Sequence, residues 1–113
     1  MSSIIEQGPF AVFLALVIAH AVTDFPLQGA YLAKQKNRYL ADSRPEWIVA
    51  LTAHCLIQAG GVWLVTGSMV LCGAEFFLHA LIDSSKSEKR FGLLTDQSLH
   101  LLCKLGYVIV LMT

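Results

Sequence analysis

The run Glu75-Phe76-Phe77-Leu78-His79-Ala80-Leu81-Ile82-Asp83 sets an acid, a histidine and a second acid at intervals of four inside otherwise apolar sequence. A step of four on an α-helix turns the side chain by only about 40°, so Glu75, His79 and Asp83 fall on one stripe of an apolar helix. Asp96-Gln97-Ser98-Leu99-His100 repeats the spacing after a basic connector, and Lys104 extends that second stripe by one more step. His20 and Asp24 give a third pair of the same kind, and His54 stands with Gln58 four residues on. The chain has four histidines, each in a different apolar segment.

The surrounding composition fixes the class. Of 113 residues, 56% are hydrophobic and only 14% charged, and the mean hydropathy is +0.63. Soluble domains average about 45–50% apolar and about 25% charged residues, so a polytopic membrane protein fits better. The length accommodates four spans of roughly 20 residues with short loops. The formal net charge is zero, which gives no reason to expect an acidic polymer as partner. Cys55, Cys72 and Cys103 lie one per apolar segment and read as buried small hydrophobes rather than a disulfide framework.

The expected architecture is an all-α, four-span antiparallel helical bundle, forming a single transmembrane domain over 1–113, with spans at about 9–25, 45–65, 69–86 and 95–112. Pro9 suits a helix start, and Asp24-Phe25-Pro26 breaks the first span. The stretch from Gln28 to Leu40 is too polar to span; it reads as a short amphipathic surface helix with Tyr31, Leu32, Tyr39 and Leu40 toward the lipid boundary. Ser43 or Arg44 ahead of Pro45, with Glu46 in the first turn, opens the second span. Gly60-Gly61 is a candidate close-packing point in that span, Thr66-Gly67-Ser68 a tight turn, and Thr95 the cap of the last span. Lys34, Lys36, Arg38, Arg44, Lys86, Lys89 and Arg90, seven of the eight basic residues, all fall in the two connectors on one side, and none falls on the other. By the positive-inside rule both connectors are cytoplasmic and both termini extracytoplasmic.

Counting from the cytoplasmic span ends at 1.5 Å per residue puts His20 and His79 roughly 10 Å deep, His54 about 13 Å and His100 about 7–8 Å. Asp24, Asp83 and Asp96 come slightly nearer the cytoplasm and Glu75 slightly deeper. One intramembrane histidine usually means a hydrogen-bonded helix contact, and acids at span ends commonly serve as caps. Mid-span Glu75 and Lys104 resist that explanation, since a charge there costs about 2.5–3.5 kcal/mol even on insertion scales. Eight histidines and acids meeting at one level (His20, Asp24, His54, Glu75, His79, Asp83, Asp96, His100) point to a metal site. Imidazole with carboxylate suits a divalent transition metal such as zinc, iron or manganese. Four acids with Lys104 leave minus three in low dielectric, which two divalent ions would turn to plus one, and one ion with outer-shell acids is the fallback. No Ser-His-Asp order, phosphate-cradling glycine loop or base-reading helix is visible.

The combination His20-x-x-x-Asp24-Phe25-x-x-Gln28, a lone span histidine, Glu75-x-x-x-His79-x-x-x-Asp83 and Asp96-Gln97-x-x-His100 resembles domain-of-unknown-function family 3307, small multi-pass membrane proteins of bacteria and their phages. The resemblance covers nearly the whole chain and implies a bacterial or phage setting in the inner membrane, with no established activity. The pattern is also similar, at a distance, to membrane-bound metal-dependent hydrolases with helix-borne His and Asp.

The reading is an integral membrane metal-binding protein with its site near the cytoplasmic face, acting as a metal-dependent hydrolase on a lipid or phosphoester-like substrate. Lys104 is the candidate catalytic group, neutralising bound or developing negative charge. The alternatives are a non-enzymatic phage or bacterial membrane interaction protein with a structural metal, a proton or metal carrier, and a bis-histidine haem protein. The expected partners are membrane lipid and a second copy or another membrane protein, not nucleic acid.

Overall fold

A computed structural model describes residues 3–113. After a 3-10 turn at Ile5–Gln7, the chain forms α1 (Pro9–Asp24), α2 (Gly29–Gln35), α3 (Arg44–Thr66), α4 (Met69–Ser87) and α5 (Leu93–Met112), with no strand among the described residues. The α1, α3, α4 and α5 helices form a bundle in a molecule extending 46 × 25 × 23 Å.

Local chemistry sets the helix ends. Pro26 has no amide hydrogen to continue α1, and Gly29 takes a left-handed φ of 66°, so α2 departs at 86° from the α1 axis. The expected surface helix is therefore shorter than the 28–40 stretch. It stops at Gln35 because that side chain turns inward, donates to Asp42 Oδ2 at 2.8 Å and accepts the Asp42 amide at 2.9 Å. Lys34 and then Gln35 hydrogen-bond the Asp42 carboxyl and hold it below the usual carboxylate range. Tyr31, Tyr39 and Leu40 are exposed, whereas Leu32 is half-buried. At the start of α3, Ser43 Oγ accepts the Glu46 amide at 3.2 Å, so Ser43 is the cap and Pro45 follows Arg44 in the first turn.

The reversal between α3 and α4 needs a left-handed residue, and Gly67 supplies it with φ 68°. Ser68 then caps α4 through the Leu71 amide at 3.1 Å. Of the glycine pair, only Gly61 meets a neighbour closely: a Cβ there would lie 3.6 Å from Ala19 and 3.7 Å from Thr23, both on α1. Thr95 is not the cap expected from the sequence. It is the third residue of α5, whose N-cap position is Gly92, because the helix starts one turn earlier through Leu93 and Leu94.

The interior divides along the bundle axis. Val12, Leu16, Val62, Leu71, Tyr107 and Val108 form an apolar core at the end holding the start of α1, the end of α5 and the Gly67 turn. The other end buries His20, Asp24, His54, Gln58, His79, Asp83, Asp96 and His100. Large apolar side chains cover the outside, among them Phe10, Leu64, Val70, Phe77, Leu94 and Val110. By length and composition α3 alone can cross a membrane, and α1 with α2 reaches the same measure only as a bent pair. Charged residues lower α4 and α5 on that measure, although Glu75, Asp83, Asp96 and Lys104 are buried.

Candidate metal centre

Four helices each contribute one histidine, and the Nε2 edges of the rings face a common centre. His54 and His79 approach with their Nε2 atoms 2.9 Å apart. His79 stacks on His100 with ring centroids 4.2 Å apart, and His20 lies 5.0 Å from His100. His20, His54, His79 and His100 are each 4% exposed or less. The helical step of four brings an acid beside three of these rings: Asp24 below His20, Asp83 below His79, and Asp96 ahead of His100.

Asp83 is the hub. Its Oδ2 lies 3.3 Å from both His54 Nε2 and His79 Nε2, and its Oδ1 lies 3.2 Å from His100 Nε2. Asp24 Oδ1 is 3.3 Å from His54 Nε2 and 3.9 Å from His79 Nε2. Asp96 Oδ1 is 3.4 Å from His100 Nε2 and, among the described residues, takes no hydrogen bond. A buried anionic oxygen in that condition is suited to a cation.

Two glutamines position the acids. Gln97 donates its amide to Asp24 Oδ2 at 2.9 Å and to Asp96 Oδ2 at 3.0 Å. Its Oε1 is then an acceptor, so His20, 2.9 Å away, donates through Nε2–H. Gln58 donates to Asp24 Oδ1 at 3.3 Å and is itself oriented by the Thr23 hydroxyl at 2.7 Å.

Three overlapping sets of side chains bring donor atoms within 4.8 Å of one another: His20, His79 and His100; Asp24, His54 and His79; Asp83, Asp96 and His100. The second and third share no residue. His20, committed to Gln97, belongs to neither. The donor set fits a divalent transition ion in both cases. The opposite ring atoms, Nδ1 of all four histidines, have no hydrogen bond among the described residues. Helix packing rather than an outer ring of acceptors therefore fixes the imidazole orientations.

Glu75 stands apart from these sets. Both of its oxygens engage Lys104 Nζ, at 2.6 and 2.5 Å, and the pair is 1% exposed or less. Its nearer approach to the cluster is Oε1 at 3.9 Å from His79 Nδ1, behind the ring rather than on the ligating edge. Lys104, singled out from the sequence as a free charge for substrate, is thus fully occupied by Glu75. In its place Lys36 enters the centre, with Nζ 3.0 Å from Asp83 Oδ2 and 3.4 Å from His54 Nε2. Lys86 Nζ lies 3.6 Å from Asp96 Oδ2. Lys36 follows α2 and Lys86 lies in the last turn of α4; in the sequence both read as topology signals and neither as part of the site. Gln97, by contrast, sat in plain view next to Asp96.

Fold and site together define an all-α protein with a buried His/Asp cluster able to hold metal ions. Residues 12–113 match the family described as "Protein of unknown function (DUF3307)", and the chain belongs to that family. No curated protein and no solved structure matches the chain.

Proposed function

We propose that this chain is a multi-pass protein of a bacterial or phage-encoded inner-membrane system, in which α1, α3, α4 and α5 cross the bilayer and hold two divalent transition-metal ions near the cytoplasmic face for hydrolysis of a phosphoester-bearing lipid or similar substrate. The observation that carries this reading is the pair of disjoint ligand sets, Asp24/His54/His79 and Asp83/Asp96/His100, in a bundle interior.

The membrane part rests on the inverted polarity of the bundle. Outward residues of α4 and α5 include Val70, Phe77, Leu81, Leu94, Leu102 and Ile109, whereas Glu75, Asp83, Asp96 and Lys104 are all buried. A composition average counts those inward charges against the span; lipid would meet only the outer face. The basic connectors favour a cytoplasmic metal end with both termini outside, and the exposed Tyr31 suits α2 to the interface.

Glu75 and Lys104 cancel; Asp24, Asp83 and Asp96 bring minus three and Lys36 and Lys86 return two, so two divalent ions bring the site to plus three. Such an excess suits a site for anionic substrates. A bound ion of this kind lowers the pKa of coordinated water and polarises a phosphoryl oxygen. The protein's part is to hold Asp24 through Gln58 and Gln97, to set His79 with Glu75 behind it, and to keep Asp83 within reach of a pocket between α2 and α4. Reach from outside favours a reactive site over a purely structural one, which would be closed. The expected partners are membrane lipid and a second copy or another membrane protein.

The enzyme reading is tested by turnover of a chromogenic phosphoester by purified protein supplied with zinc or manganese. Activity lost in chelator and restored by the metal supports it. A protein that binds both ions yet turns over neither phosphomonoesters nor phosphodiesters contradicts it and leaves a structural centre. For topology, a reporter active only in the cytoplasm should be silent when fused after Thr113, and strong activity would overturn the orientation.

A further inference from the structure

A positive-inside signal needs basic residues only in the connectors, free in water. Lys36 is different: its side chain is 17% exposed and its ammonium reaches inward to Asp83 and His54. Lys86 reaches Asp96 from the last turn of α4. The two lysines, with Ala33, Asn37 and Ser87, line a pocket of about 140 Å³ that has Asp83 in its wall. At about 30 Å³ per water, that space holds a group of four or five heavy atoms. The pocket thus brings together two cations, small polar side chains and one acid that also belongs to a ligand set.

We propose that this pocket binds the phosphate group of the substrate, with Lys36 and Lys86 as its ammonium donors. The inference rests on the metal reading above, because it assigns the lysines a second partner once their acids serve a metal. An ion held by Asp83 and Asp96 competes with Lys36 and Lys86 for the same carboxylates. Two flexible ammonium groups so released still line the pocket, and a phosphate dianion is the partner their charge matches. Lysine fits this double use better than arginine, since its point charge can swing between acid and phosphate on a flexible stem. The ligand chemistry is a phosphate monoester, carried either by a lipid headgroup or by a soluble compound.

The test uses the full chain in detergent micelles, loaded with zinc and titrated calorimetrically with inorganic phosphate and, separately, with a short-chain phosphatidate. Phosphate should bind the loaded protein, and Lys36→Gln with Lys86→Gln should weaken it about tenfold or more at unchanged zinc content. Lys86→Gln alone, at a side chain 41% exposed where folding is not at stake, should weaken it about threefold. Lys89→Gln, outside the pocket, should change nothing. Phosphatidate binding more tightly than phosphate identifies a lipid headgroup, and equal binding identifies a soluble ester; both support the pocket. Undiminished phosphate affinity in the zinc-loaded double variant, or no phosphate binding by the parent, overturns the proposal. Failure to take up zinc would instead count against the metal centre and overturn the pocket with it, because without metal the lysines stay on Asp83 and Asp96.

Discussion

The two ends of this bundle solve the same packing problem with opposite chemistry. Toward the Gly67 turn, Val12, Leu16, Val62, Leu71, Tyr107 and Val108 interlock as an apolar core. Toward the basic connectors, the same four helices meet through four imidazoles and three aspartates. The Glu75–Lys104 pair marks the border between them. Shape complementarity stabilises the first end without any ligand, since dispersion contacts are complete there. The second end keeps charges out of water, an arrangement that costs stability unless a cation completes it. Apolar packing and the buried polar cluster are thus separated along the axis.

The largest effect is expected at the border. Lys104→Met leaves Glu75 buried without its partner and should destabilise the fold by about 3–5 kcal/mol in denaturant titrations, whereas Lys104→Met with Glu75→Leu should recover most of that loss. Recovery together with full metal content would confirm that the pair belongs to the structural end. Loss of metal in the double variant would move it into the centre, through the Glu75 contact behind His79.

Metal supply should act on the polar end alone. Zinc at about a hundred times its dissociation constant should stabilise the parent by about 2.7 kcal/mol for each ion bound, and His79→Ala, which breaks the Asp24/His54/His79 set, should abolish one ion's share and lower the stoichiometry. Leu16→Ala, in the apolar end at 0% exposure, should cost about 2 kcal/mol and leave metal binding intact. If Leu16→Ala emptied the centre, the two ends would not be separable. The smallest effect is expected for Ser43→Ala, which removes the α3 cap and should cost about 1 kcal/mol with no change in metal content.

Much of the site was legible because helical spacing is rigid. The steps from His20 to Asp24, His79 to Asp83 and Asp96 to His100 need only a 3.6-residue period to place acid beside imidazole. His54 has no acid four residues on and could be placed only by counting depth, yet its Nε2 lies 2.9 Å from that of His79. What stayed hidden depends on tertiary geometry. Glu75 shares a stripe with His79, but the stagger of α5 against α4 brings Lys104 to it and so takes it out of the ligand sets. Lys36 lies in the 28–40 stretch that reads as a surface helix, and spacing within one helix does not show which other helix a side chain will reach. It reaches Asp83 on α4 in a connector that the Gln35–Asp42 hydrogen bonds fold back. Thr95 misled for the opposite reason: a good capping residue was overridden by Leu93 and Leu94 extending the helix.

The central claim is that the polar end is a two-metal centre built from Asp24, His54, His79, Asp83, Asp96 and His100. Native mass spectrometry of protein purified without chelator tests it most directly. Two divalent ions per chain are expected, falling in His79→Ala and unchanged in a variant lacking Lys89 and Arg90. A chain that carries no metal, stays fully folded in chelator and cannot be reconstituted would contradict the claim and leave the histidines and acids as a proton relay.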